Sequence, residues 1–175
     1  MMKKFGMLLS LAMVLIMAAC GGTAGGNSEA EKVESDATAQ QIMERIEARL
    51  EEEGNGIRFM DTDMSAMEDS LSPLITQHFD SADIESGEIR QAMMMVHSDL
   101  IMVIRAKDTA AAERVRESFD KVHEDQVATW SIYLQDQYEF VENAIIEQRG
   151  VFLLYAVTEH AEAVRESFED SILAD

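Results

Sequence analysis

Residues 101–121, IMVIRAKDTAAAERVRESFDK, and residues 150–170, GVFLLYAVTEHAEAVRESFED, lie over one another at a shift of 49 positions, and VRESF occurs in both, as Val115–Phe119 and Val164–Phe168. Each copy opens on an apolar run of the β type. It continues with apolar positions at helical spacing: Ala112, Val115, Phe119 and Val122 in the first, Ala161, Val164, Phe168 and Ile172 in the second. Thr109 and Thr158 fall at matching places between the two parts, each suited to cap a helix N-terminus with its hydroxyl. A further candidate strand precedes each copy, IRQAMMMV (89–96) and VENAIIE (141–147), so the unit reads as a hairpin plus a helix. The predicted fold is α+β: a four-stranded, largely antiparallel sheet from a duplicated ββα unit, with helices on one face. VRESF itself reads as architecture, because its apolar positions point to the core and its Arg and Glu to solvent.

Upstream, Thr38 and Gln41 fit a capping box, and Ile42, Met43, Ile46 and Leu50 share one face of a helix that runs until Gly54. This N-terminal helix completes the helical layer or caps an edge strand. Met60, Met64 and Met67 suggest a short amphipathic helix, Pro73 interrupts, and DSADIESGE (80–88) reads as a loop.

The first residues, MMKKFGMLLSLAMVLIMAAC, set Lys3 and Lys4 before an apolar stretch and end on Ala18, Ala19 and Cys20, the only cysteine of the chain. That is the three-part layout of a secretory signal peptide, too short in its apolar run for an ordinary membrane span of ~20 residues. The small pair followed by Cys resembles a bacterial lipobox, although Met17 stands where Leu is commoner. The resemblance implies a lipid on the Cys20 thiol and cleavage before it. Acyl chains at ~0.8 kcal/mol per buried CH₂ suffice for stable anchoring. GGTAGGNSEAEKVESD (21–36) has almost nothing to bury and reads as a flexible tether, with an r.m.s. reach of about 20–25 Å. The expected organisation is a signal peptide over 1–19, lipidated Cys20 with a tether to 36, and one α+β domain over 37–175.

The 34 acidic side chains against 14 Lys and Arg give a formal net charge of −20. Such a field repels phosphate backbones and anionic headgroups, so nucleic acid is not an expected partner and the body stands off the membrane. A lone cysteine leaves the fold to rest on apolar burial.

The stretch YLQDQYEFVENAIIEQRGVFLLYAV (133–157), with DLIMVIRAKD (99–108) and the lipobox, resembles bacterial lipoproteins of the domain of unknown function 4358 family. In that family a Tyr-x-Pro-x-Gln run leads into a Val-x-Asn strand, a turn glycine and an apolar strand. Tyr133, Gln137, Asn143 and Gly150 match, while Gln135 stands where Pro is common. The resemblance implies a cell-envelope lipoprotein with no assigned activity and supplies no catalytic residue.

His78, His97, His123 and His160 form no HExxH or i, i+4 ligand pair, and GxSxG, P-loop and GxGxxG motifs are absent. His97 in a candidate turn and His160 in a first helical turn read as solvated. DTDMSAMED begins like a calcium loop at Asp61, Asp63 and Ser65, but Ala66 takes the glycine place and Ser72 the place of the bidentate Glu. Met60, Met64 and Met67 have the spacing of a soft-metal face, yet that spacing more often marks a buried stripe. Met93, Met94 and Met95, consecutive in a candidate strand, cannot all grip one ion. Both sets read as core packing, and no metal or cofactor is expected. Trp130, Tyr133, Tyr138 and Phe140 cluster between the long helix and the third strand, either as a plug of the core or as a binding surface. With Gln137 and Asn143 beside them they are the candidate binding residues. The expected function is a lipid-anchored, extracytoplasmic, non-catalytic binding or scaffolding module with an envelope protein or ligand as partner. The alternatives are a cation-binding protein and a wall- or lipid-acting enzyme, the last needing a cleft with two or more ionisable groups of displaced pKa.

Overall fold

The computed structural model describes residues 35–65 and 73–173. The leader, Cys20, most of the tether, Ala66, Met67 and Ser72 lie outside the described residues. The strands β1 (Phe59–Asp63), β2 (Ile84–Ala92), β3 (Leu100–Ala106), β4 (Ile145–Arg149) and β5 (Phe152–Val157) form one antiparallel sheet in the order β1-β2-β3-β5-β4. The helices are α1 (Ala39–Glu52), α2 (Pro73–Thr76), α3 (Thr109–Trp130), α4 (Gln135–Glu142) and α5 (Ala161–Leu173).

The sheet has five strands rather than the four expected. The extra one is β1, which takes Met60 into a strand; Met64, just past it, is buried. The expected methionine helix is therefore corrected: Phe59 to Asp63 pair with Ala92 to Glu88, and pairing overrides a three-residue spacing that a strand and a helix can share. The loop expected over 80–88 becomes a 3-10 turn, Ser81–Asp83, running directly into β2 at Ile84.

Helices cover both faces, not one. Leu100, Met102 and Ile104 of β3 and Leu153, Tyr155 and Val157 of β5 point to a core closed by α3, with Val115, Phe119 and Val122, and by Val141 of α4. The alternate residues Ile101, Val103, Phe152, Leu154 and Ala156 point to a second core closed by α1 and α5. Both central strands are thus apolar on both sides, as a continuous apolar run rather than an alternating one requires. Each fully buried Phe, Leu or Ile there contributes roughly 1.5–3 kcal/mol.

The duplicated unit also needs correction. Both hairpins with a following helix exist, and a half-turn about the sheet normal lays β2–β3 on β4–β5, yet it leaves α3 and α5 on opposite faces. Two residues, Lys107 and Asp108, separate β3 from α3, whereas Thr158, Glu159 and His160 separate β5 from α5. Asp108, not Thr109, caps α3, accepting from the Ala111 N–H at 2.8 Å.

The capping box of α1 is present: Thr38 Oγ1 accepts from the Gln41 N–H at 3.2 Å and Gln41 Oε1 from the Thr38 N–H at 2.9 Å. Gly54 at φ 79° ends this helix, letting the Asn55 N–H reach Leu50 O at 2.9 Å and the Gly54 N–H reach Glu51 O at 3.1 Å. The chain enters at the base of the sheet, where the Ala39 N–H donates to Ser86 Oγ at 3.0 Å and Arg105 donates to Ala37 O at 3.2 Å. The connection from β2 to β3, residues 93–99, lies at the opposite end, which is called the tip below.

Candidate functional site

The aromatic corner forms at the tip because α3, 22 residues and about 33 Å long, returns the chain to the end where β3 began. Trp130, its last residue, is 8% exposed and joins the core, its Nε1–H donating to Gln126 Oε1 at 3.1 Å. Tyr133 stacks obliquely on it with ring centroids 5.8 Å apart, and is 57% exposed. Between them Ile132 stands 89% exposed.

From Gln135 the chain forms α4, where the sequence pattern anticipated entry into a strand. The third strand of the prediction, 141–147, accordingly starts only at Ile145. Gln135 is the first residue of α4, a place where proline's fixed φ and missing N–H suit a helix start. The departure from the family pattern thus touches a helix start rather than a turn. Gln137 is buried, its Oε1 accepting from the Ser98 N–H at 2.8 Å while Ser98 Oγ donates to Gln137 O at 3.1 Å. This is a clamp between α4 and the tip, not an outward-facing ligand group. Tyr138 is half-buried, and the Glu142 carboxylate bonded to it raises its phenol above the ordinary range. Asn143 caps the far end of α4, donating through Nδ2 to Glu139 O at 2.7 Å.

The five candidates therefore split: Trp130 and Gln137 are buried, Tyr138 is half-buried, Tyr133 faces outward, and Asn143 lines a separate groove of about 490 Å³ with Phe140, Ile145, Thr158 and His160. Thr158 of that groove is hydrogen-bonded through its side chain to Asp99, which is 5% exposed. Burial pushes its carboxyl up, against the opposing pull of Thr158, His97 and His160. Read one by one, His97 and His160 are merely solvated. What unites them is register: Leu100 pairs with Val157, so the residue before β3 meets the residue after β5. Antiparallel pairing of the two repeated strands was the signal that could have found this cluster.

The methionines of the tip also differ from expectation. β2 ends at Ala92, and Met93, Met94, Met95 and Val96 are exposed by 57, 61, 85 and 43%, so they are not core. They form the hairpin connection, where no sheet face exists to take them. Asp61 and Asp63 lie on β1, not in a calcium loop. Among the described residues no three His, Cys, Asp or Glu gather as a metal site, and no helix is long and apolar enough to cross a membrane.

The tip is thus an apolar rim of Met93–Val96, Ile132 and Tyr133, able to bury area against a partner, and the groove beside Asp99 offers polar contacts of a different kind. No curated protein and no solved structure matches the chain. Residues 76–158, from the end of α2 to just past β5, match the family model described as a domain of unknown function (DUF4358), which supports the domain family that Tyr133–Val157 resembles.

Proposed function

We propose that this chain is an extracytoplasmic bacterial lipoprotein held to the membrane by acyl chains on Cys20, and that its folded part is a non-catalytic binding or scaffolding module of the cell envelope. The observation that carries this reading is polarity along the sheet: the chain enters at the base beside Ser86 and Arg105, while the exposed Met93, Met94, Met95, Ile132 and Tyr133 gather at the other end. A module tethered at one end and apolar at the other presents its contact surface away from the anchor. Several large apolar side chains exposed at one end of a folded domain mark a candidate interaction surface.

The test is twofold. Palmitate label should enter the chain and vanish in Cys20→Ser; an unlabelled chain removes the anchor. Crosslinking in the native envelope should recover a reproducible neighbour that Met94→Ser with Met95→Ser loses; recovery of none removes the scaffold. A second reading, an enzyme on wall or lipid, draws on Asp99 bonded to Thr158 of the groove. It requires that Asp99→Asn reproduce whatever change in the wall a deletion causes.

A further inference from the structure

On the face bearing α1 and α5, α1 lies over β2 and β3 and α5 over β5 and β4, whereas β1 packs mainly on β2. A groove of about 530 Å³ follows from this, between α1 and the edge strand and reaching the tip. Its apolar part is buried Leu50, half-buried Ile57 and Phe59, and exposed Met93; its walls carry Glu47, Glu51 and Asp61. Arg58 is the cation that lines it. Buried Arg90 behind the wall is already held by Glu47 at 2.7 Å, Asp61 at 3.2 Å and Glu88 at 2.8 Å, so carboxylates outnumber guanidinium groups around the groove.

Resting on the binding-module reading above, we propose that this groove, continued over Met93–Val96, seats a cationic amphipathic helix of a partner protein beside α1. An apolar floor accepts the aliphatic stems of Lys and Arg, and their heads meet Glu51, which stands outside the Arg90 cluster, and the excess negative charge that Glu47, Asp61 and Glu88 keep around one guanidinium. Methionine side chains, unbranched and polarizable, adapt to the apolar face of such a helix. The charge pattern selects against other occupants. A second copy brings another −20, and the chain's own segment 21–34 carries Glu29, Glu31 and Glu34 against Lys32.

The test uses the full chain in phosphatidylcholine vesicles, with the photocrosslinking amino acid benzoylphenylalanine in place of Met94 and, as control, in place of exposed Glu117 on α3. The probe is a Leu/Lys amphipathic peptide of about 18 residues, ~27 Å as a helix. The expected result is a peptide adduct at position 94 and not at 117, weakened by raising salt from about 0.1 to about 0.5 M and about tenfold by Glu51→Lys, roughly 1.4 kcal/mol. A Leu/Glu peptide of the same shape should fail to react. Equal reaction of that peptide, an adduct insensitive to salt and to Glu51→Lys, or adducts only with lipid, with a second copy or with the chain's own leader would overturn the proposal. Adducts are scored in floating and non-floating fractions alike, so a missing anchor and a missing helix site give different results.

Discussion

The segments Val115–Phe119 and Val164–Phe168 have the same five residues and opposite surroundings. In α3, Val115, Ser118 and Phe119 are buried against the core that also holds Tyr155, and Ser118 Oγ donates to His78 O at 2.7 Å, with Arg114 O, at 3.0 Å, the alternative acceptor for the same proton. In α5, Val164 and Phe168 are buried on the other face beside α1, and Ser167 is half-buried. Identical patterns thus fix which side of each helix is apolar, while the sheet face each helix takes depends on the connection before it and on which face is already covered. With α3 lying against both β3 and β5, the second helix finds its place on the opposite side.

The largest expected effect lies in the aromatic anchors. Phe119→Ala and Phe168→Ala should each cost about 3–5 kcal/mol. Phe119 should lead by ~0.5–1.5 kcal/mol, because its ring meets Phe79 and Tyr155, both at 5.8 Å between centroids. Denaturant midpoints of the two variants read this, and the reverse order would mean the faces do not differ as described. Next come the hairpins. The first has a long connection clamped by Gln137, the second a short one in which Gly150 takes φ 59°. Gln137→Ala strands the buried Ser98 N–H and should cost about 1–3 kcal/mol. Amide exchange should accelerate over 93–99 and stay unchanged at 149–152.

The paired serines separate the copies more gently. Ser118→Ala should cost about 1 kcal/mol through its lost bond to His78 O, and Ser167→Ala should stay within ~0.5 kcal/mol. Equal losses would erase the asymmetry. The smallest expected change is one of slope. At the 49-residue shift Asp99 corresponds to Gln148, so the first copy alone places an acid there. A carboxyl whose folded pKa lies above its unfolded one binds its proton more tightly when folded. Its contribution to stability is fully present below the unfolded pKa and is lost as pH rises through the folded pKa. Asp99→Asn keeps an oxygen for Thr158 and removes the charge. It should flatten the decline in stability between mildly acidic and neutral pH, read as denaturant midpoints at both.

Sequence alone was enough for the local elements wherever short-range rules suffice. The Thr38–Gln41 box, the Ile42–Leu50 stripe, both VRESF helices and the apolar strands 101–106 and 152–157 are set by 3.6-residue periodicity, capping chemistry and β-type runs. Helices on one face were expected, although LIMVI and FLLYAV, which do not alternate, carried the signal for cover on both. What only tertiary structure decided is long-range: β1 joining the edge, the opposite hands of the two units, the exposure of Met93–Val96, and the meeting of Asp99 with Thr158. Periodicity names the apolar side of an element but not its partner. Strand pairing joins residues far apart along the chain, so which groups end up adjacent is set by register and connection length rather than by any local pattern.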